Sequence, residues 1–259
     1  MDLGLSGKWA IVCASSRGLG RGCAFALAEE GVNLVVNGRN AETLAATAAE
    51  IRSRYSVEVH EVAADVSSPD GQAALLAACA TPDILVNNNA GPPSRDFRSL
   101  DRDAMIDGVT QNMITPIALI QAVIDGMAER GFGRIVNITS LSIYMPIVGL
   151  DLSSGARAGL TAFLAGVGKT VAGRNVTING LLPGKFDTDR IRATTQFGAE
   201  KAGMSFDDYA ARQKKEIPAG RLGTPEEFGK ACAFLCSAHA GYMTGRNFIL
   251  DGGLFPSAF

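Results

Sequence analysis

Short apolar runs alternate with helix-patterned stretches along the whole chain, and no other feature narrows its fold as much. Runs such as "NLVV" at 33–36 and "RIVNI" at 134–138 are apolar without alternating, as strands covered on both faces must be. Strands are expected at 9–14, 33–37, 58–62, 84–87, 134–138, 177–181 and 248–250. Helical patterns fill 18–30, 40–54, 69–79, 101–130, 153–173 and 225–237. The last has the clearest start, with Thr224 as N-cap and Pro225 in the first turn. Helices between successive strands make βαβ units, so the expected fold is a doubly wound parallel α/β sheet of about seven strands with helices on both faces.

Hydrophobic residues form 47% of the 259 and charged residues 19%, enough to fill the core of one such sheet. No internal repeat or low-complexity linker interrupts the sequence, and 1–259 reads as a single domain. Net charge is −2 with basic residues dispersed, which gives no reason to expect nucleic acid or an anionic membrane surface as a partner. The N-terminus, MDLGLSGKWAIVCASS, has no basic region followed by an apolar stretch and a cleavage site, and no window of about 18 apolar residues exists. A cytoplasmic protein without a membrane span is the expectation. The five cysteines, Cys13, Cys23, Cys79, Cys232 and Cys236, include no C-x-x-C pair and read as buried thiols in a reducing compartment. Cys232, Cys236 and His239 supply too few ligands for a metal, and none is expected.

Directly after the first strand comes "CASSRGLGRG". Gly18, Gly20 and Gly22 let the backbone turn and approach a pyrophosphate, while the helix starting there directs its free N–H groups at the anion. Its place between strand and helix gives the spacing its weight and makes the fold Rossmann-like. The second strand ends "VVNGRN". Gly38 and Arg39 stand where an NAD site usually carries an acid for the ribose 2′-hydroxyl. Arg17 lies in the glycine loop. Two guanidinium groups and no carboxylate suit a 2′-phosphate, so NADP(H) is the expected cofactor.

Several motifs in order then resemble the short-chain dehydrogenase/reductase family, of the 3-oxoacyl-ACP-reductase type, over essentially the whole chain. The family's T-G-x-x-x-G-x-G is similar to Cys13-Ala14-Ser15-Ser16-Arg17-Gly18-Leu19-Gly20, with the Thr and first Gly replaced. "ADV" at 64–66 resembles the adenine-binding segment, with Asp65 and Val66. "DILVNNNA" at 83–90 resembles the strand ending N-N-A-G, with Asn87 retained and Asn89 and Ala90 in place of Ala and Gly. "LLPGKFDTD" resembles P-G-x-x-x-T, whose Thr188 would face the nicotinamide end. "RLGTPEEFG" and "TGRNFILDGG" resemble the closing segments. The resemblance implies an oxidoreductase acting on alcohols and ketones, a seven-stranded sheet and, usually, a tetramer.

The resemblance also implies a catalytic Asn, Ser, Tyr and Lys. Asn112 and Ser140 match the first two. Ser153 and Arg157 stand where Tyr and Lys are expected, and Tyr144 is the one phenol nearby. A serine hydroxyl is a poor general acid at neutral pH, whereas Arg157 can still hold ribose hydroxyls. Three readings stay open. One is an oxidoreductase with a rearranged proton donor: Tyr144, a water on Ser153, or the substrate. Another is a cofactor-binding sensor or silent subunit. The third is a lyase or isomerase reusing Ser140.

Two further segments carry expectations. The helices around 113–127 and 158–167 are apolar nearly all round, which calls for a cover besides the sheet, either another subunit in a homotetramer or the chain's own loops. Segment 186–222 is dense in charge, with twelve charged residues among the 30 from Asp187 to Glu216. It reads as a mobile lid over a small-molecule pocket or as a solvated helical insertion. Phe186, Phe197, Met204, Phe206 and Tyr209 within it hint at an apolar moiety on a ketone or alcohol substrate.

Overall fold

The computed structural model describes residues 1–257. In chain order the main elements are β1 (Trp9–Val12), α1 (Gly18–Glu29), β2 (Asn33–Gly38), α2 (Ala41–Arg54), β3 (Val59–Ala63), α3 (Pro69–Ala78) and β4 (Ile84–Asn87). Then follow α4 (Arg102–Val109), α5 (Thr115–Glu129), β5 (Gly133–Ile138), α6 (Asp151–Val171), β6 (Val176–Pro183), α7 (Asp189–Ala202), α8 (Phe206–Lys215), α9 (Pro225–Cys236) and β7 (Asn247–Leu250). The strands form one parallel sheet in the order β3-β2-β1-β4-β5-β6-β7. The order reverses between β1 and β4, and ligands of open α/β sheets bind where the strands end at such a switch.

Strand periodicity explains the unbroken apolar runs. Within β1 and its extension, Ala10 and Val12 enter the core on one face of the sheet, while Ile11 and Cys13 enter the core on the other. Cβ directions alternate, so a strand buried on both sides needs apolar residues at every position. On the first face α1 and α9 cross at backbone contact. A Cβ on Gly22 would lie 2.1 Å from the Pro225 carbonyl oxygen, and one on Gly229 would lie 2.1 Å from that of Gly22. All five cysteines are buried free thiols.

Two expectations gain detail. The helix expected over 101–130 runs without a break from Arg102 to Glu129, and a π-turn at Thr110–Ile114 within it divides α4 from α5. The apolar periodicity runs through it, because one wide turn shifts phase without changing composition. The charged segment 186–222 carries two helices, α7 and α8, in keeping with the helical-insertion alternative. Thr188 caps α7 and Ser205 caps α8. The two helices pack where the Tyr209 ring lies over Gly198, and Thr195 Oγ1 donates to Gln213 Oε1 at 2.9 Å. Among the described residues no helix is long and apolar enough to cross a membrane.

Candidate functional site

The glycine loop is held from behind by polar side chains. Ala14 takes φ 45° and Gly18 φ 57°, turning the chain sharply as it leaves β1. The Ala14 N–H donates to Asn37 Oδ1 at 3.1 Å, and its carbonyl accepts from Asn88 Nδ2 at 3.2 Å. Ser15 is fully buried. Its hydroxyl donates to the Val12 carbonyl at 2.7 Å and accepts from the Asn37 N–H at 2.9 Å. Asn37 in turn donates to the carbonyls of Val62 and Ala64, both at 3.0 Å. Ser15 is therefore engaged inward and shapes the loop. Leu19 packs on the core, while the Ser16 carbonyl accepts from Thr47 Oγ1 at 2.9 Å.

This cradle fits a pyrophosphate. A Cβ on Gly20 would lie 2.3 Å from the Ala14 carbonyl oxygen, so only glycine allows the turn to close. The α1 N-terminus, at Arg17, has no side-chain cap and no acid in its first turn. Its unsatisfied N–H groups and dipole suit an anion. Thr188, at the start of α7, lies across the loop with its methyl 3.6 Å from the Cβ position of Gly18. Arg17 and Arg39 are both exposed. Arg17 approaches Asp189 at 3.8 Å. Among the described residues Arg39 has no hydrogen bond or ion pair. Gly38 has a packing reason of its own, since a Cβ there would meet Ser16 Oγ at 2.7 Å and Ser16 Cβ at 2.8 Å.

From the switch point at β4 a row of asparagines runs across β5 to β6. Asn87 Nδ2 donates to Asn137 Oδ1 at 2.9 Å across paired positions of β4 and β5, and Asn137 Nδ2 reaches the Asn179 carbonyl at 3.4 Å. Asn87 Oδ1 is buried and has no hydrogen-bond partner among the described residues. Asn89 Nδ2 donates to Ser67 Oγ at 2.8 Å and to the Gln111 carbonyl at 3.2 Å. It thus ties the loop bearing Asp65 and Val66 to the π-turn. Asp65 Oδ1 accepts from the Ser67 N–H at 2.8 Å, and Val66 is buried. Asn112 sits on the π-turn with Nδ2 bonded to the Gly108 carbonyl at 3.1 Å; such turns cluster at functional sites. Asn87, Asn88, Asn112, Asn137 and Arg157 line one cleft.

Ser153 and Arg157 lie one turn apart on α6. Ser153 is buried, and Arg157 donates to its hydroxyl oxygen. Burial, with the neighbouring Arg190 charge as a second cause, lowers Arg157 to about 10, so it stays cationic at neutral pH. Arg190, in the first turn of α7, donates to the carbonyls of Gly91 and Pro92 at 3.2 and 3.3 Å. Ser140, after β5, accepts the Ser142 N–H at 3.1 Å. Tyr144 is drawn aside: its hydroxyl accepts from Asn247 Nδ2 at 2.7 Å, and its ring lies 5.7 Å from that of Phe255. The sequence reading missed Asn37, Asn88 and Arg190. Asn37 and Asn88, polar residues at the ends of otherwise apolar strands, offered a signal. Arg190 offered none, being one charge among many.

The enoyl-(acyl carrier protein) reductase family model matches residues 13–255. The 3-oxoacyl-(acyl-carrier-protein) reductase of Aquifex aeolicus (strain VF5) is 30% identical over 98% of this chain and 100% of its own length. That of Vibrio harveyi is 32% identical over 98% and 99%. Among solved structures, the L-sorbose reductase of Gluconobacter frateurii complexed with NADPH and L-sorbose superposes with a TM-score of 0.93 at 27% identity, covering 99% of this chain and 100% of that one. YwfH, an NADPH-dependent reductase involved in bacilysin biosynthesis, gives 0.92 at 28% identity over 97% and 100%. With a family match across nearly the whole chain and full-length relatives at this identity, the chain belongs to the short-chain dehydrogenase/reductase family of oxidoreductases.

Proposed function

We propose that the protein is an NADP(H)-dependent oxidoreductase that interconverts ketones and alcohols by hydride transfer, with a proton donor other than the family's tyrosine. The observation that carries this reading is the glycine cradle closed on Ala14 at the uncapped end of α1, with Arg17 and Arg39 exposed beside it. NADPH-dependent relatives support the choice of cofactor.

In this reading the loop Ala14–Gly20 cradles the pyrophosphate, with Ser15 shaping it from behind, Thr188 faces the nicotinamide end, Arg17 and Arg39 take the 2′-phosphate, and Asp65 and Val66 the adenine. Asn87 and Arg157 hold the nicotinamide ribose, with Arg157 also fixing Ser153. When bound, the dinucleotide supplies or accepts the hydride. Ser140 polarises the carbonyl oxygen, and Asn112 holds a water for proton delivery. Ser153, at the expected tyrosine position, has an oxygen that accepts from Arg157 and an O–H free to donate. Its role is to orient a water or the substrate's own hydroxyl, because its hydroxyl is too weak an acid to give up a proton alone at neutral pH.

Single-turnover oxidation of bound NADPH across a ketone panel tests the proposal. Cofactor oxidation with stoichiometric alcohol supports it. Tight NADPH binding with no oxidation by any ketone would favour a silent cofactor-binding subunit instead. The exposed Ile114, at the end of the π-turn, and Phe163, on α6, further support assembly as a homotetramer. A monomer in light scattering would refute that assembly.

A further inference from the structure

Arg157 and Arg190 converge on one point from different elements, and neither has an acidic partner. The Cβ position of Gly91 lies 3.4 Å from Arg157 Nη1 and 3.3 Å from both terminal nitrogens of Arg190. Among the described residues neither guanidinium forms an ion pair or has a further partner. Arg17 and Arg192 instead take the acids next to Arg190, Asp187 and Asp189. Two like charges at this separation repel unless an anion lies between them. Nothing in the fold demands this arrangement. Arg190 is exposed, and its two bonds to backbone carbonyls are long ones that a better acceptor would displace.

We infer that Arg190, together with the N–H groups of Arg157 that the nicotinamide ribose and Ser153 leave free, forms a two-guanidinium receptor for the carboxylate of a 2-oxo acid substrate, an assignment that rests on the oxidoreductase reading above. The pyrophosphate has its own cradle, at Gly18 and Gly20 beneath Thr188. The arginine pair instead sits where α6 and the end of the β4 loop meet, with Arg157 bonded directly to Ser153. The Arg157 nitrogen that faces this point, Nη1, is the same one that bonds Ser153, so a carboxylate held there is one guanidinium nitrogen away from the Ser153 hydroxyl. That places carboxylate and carbonyl on adjacent carbons, as in a 2-oxo acid. A guanidinium fork matches a carboxylate in two parallel bonds, which an ammonium at position 157 would not do. The same charges lie close enough to stabilise negative charge growing on the carbonyl oxygen, where no phenol is placed to do so.

The test measures binding to the NADP⁺-loaded protein, which cannot reduce a ketone. Isothermal titration compares 2-oxo-4-phenylbutanoate with its neutral ethyl ester. Charge-assisted bidentate bonding predicts that the acid binds about ten- to a hundredfold tighter than the ester. Arg190→Met, at an exposed position that leaves the core untouched, abolishes that preference and moves NADPH affinity less than about twofold. Arg190→Lys restores only part of it. Equal binding of acid and ester, or a preference that survives Arg190→Met, overturns the receptor. Loss of NADPH affinity in Arg190→Met with acid binding intact assigns the anion to the cofactor and also overturns it. Failure of the unmodified protein to bind NADPH, seen before any oxo acid is added, removes the oxidoreductase reading itself.

Discussion

Arg157 donates a guanidinium hydrogen to the Ser153 hydroxyl oxygen one turn before it on α6. The bond leaves the Ser153 O–H as the free end and fixes the side chain against a cation. Positioned general acids contribute roughly 10²–10⁴-fold, and a hydroxyl of this kind supplies little of that. Ser153→Ala is therefore expected to lower kcat on a simple ketone by less than about tenfold. The double change Ser153→Tyr with Arg157→Lys is expected to raise kcat, since an ammonium beside a phenol depresses its pKa. Ser153→Tyr alone recovers less, because the two residues act as a unit. Steady-state kinetics on all four proteins decides; a drop above a hundredfold for Ser153→Ala would make Ser153 the acid.

A second relationship sets a pH dependence at the start of α9. Glu227 receives two bonds from Arg221, at 2.5 and 2.8 Å, and the Thr224 N–H at 2.9 Å, completing a capping box. The Arg221 bonds first, and the Thr224 N–H second, lower its carboxyl from the usual 4.5 to about 2. A folded-state pKa below the unfolded one stabilises above the unfolded value and fades as pH falls through the folded value. The stability difference between the native protein and Glu227→Gln is thus expected to be constant above about pH 5 and to close between 4.5 and 2. Thermal unfolding of both proteins across that range checks it. A difference that ignores pH would mean that the cap works without charge.

Much of this fold is legible in the sequence because it depends on patterns of apolar residues. Each strand and each long helix is set by burial, and burial repeats at fixed spacing. The interruption at Thr110–Ile114 is not legible, since a π-turn keeps composition and shifts phase only. Helices α7 and α8 are less legible for a different reason: they rest on local caps, Thr188 and Ser205, and on short contacts of Tyr209 with Gly198 and Thr195 with Gln213. At the candidate site, Asn112, Ser140, Ser153 and Arg157 are named through the family resemblance, but whom each touches is not legible from it. Tyr144 is close in sequence to Ser140 yet is tied to Asn247 on β7. Arg190 lies far in sequence from Arg157 and meets it in space.

Among the described residues Arg134 is the largest side chain with no exposure, and it has no carboxylate partner there. It donates to the carbonyls of Ser237 and Asn175 at 3.0 and 2.8 Å and to Asn175 Oδ1 at 3.1 Å. It therefore joins the end of α9 to the turn that feeds β6, where Asn175 takes φ 57°. Arg134→Met keeps much of the volume and orphans these acceptors. The expected loss of stability is about 1–3 kcal/mol, the penalty for buried polar groups left unmade. Urea unfolding measures it, and an unchanged midpoint would show that water replaces the guanidinium.

The remaining prediction concerns the choice between NADPH and NADH. Arg39 is exposed and has no partner of its own among the described residues, and Arg17 has only a weak surface contact with Asp189 at 3.8 Å. Exposed ion pairs of that kind contribute little, so both guanidiniums are available to a 2′-phosphate. Arg39→Ala is expected to weaken NADPH by about 1.5–3 kcal/mol, the size of a charged hydrogen bond, and to leave NADH nearly unchanged. Because both arginines would grip one phosphate, the double change with Arg17→Ala should cost less than the sum. Rising salt should weaken NADPH more than NADH, since the added contacts are exposed charges. The usual conversion to NADH, an acid at the end of β2, should fail here. A Cβ at Gly38 would lie 2.7 Å from Ser16 Oγ and 2.8 Å from Ser16 Cβ. Gly38→Asp would therefore push the glycine loop off Asn37 and lower affinity for both cofactors. Fluorescence titration of NADPH and NADH against each variant separates these effects. Equal affinities in the native protein would end the phosphate assignment, and tight NADH binding by Gly38→Asp would show that Ser16 gives way.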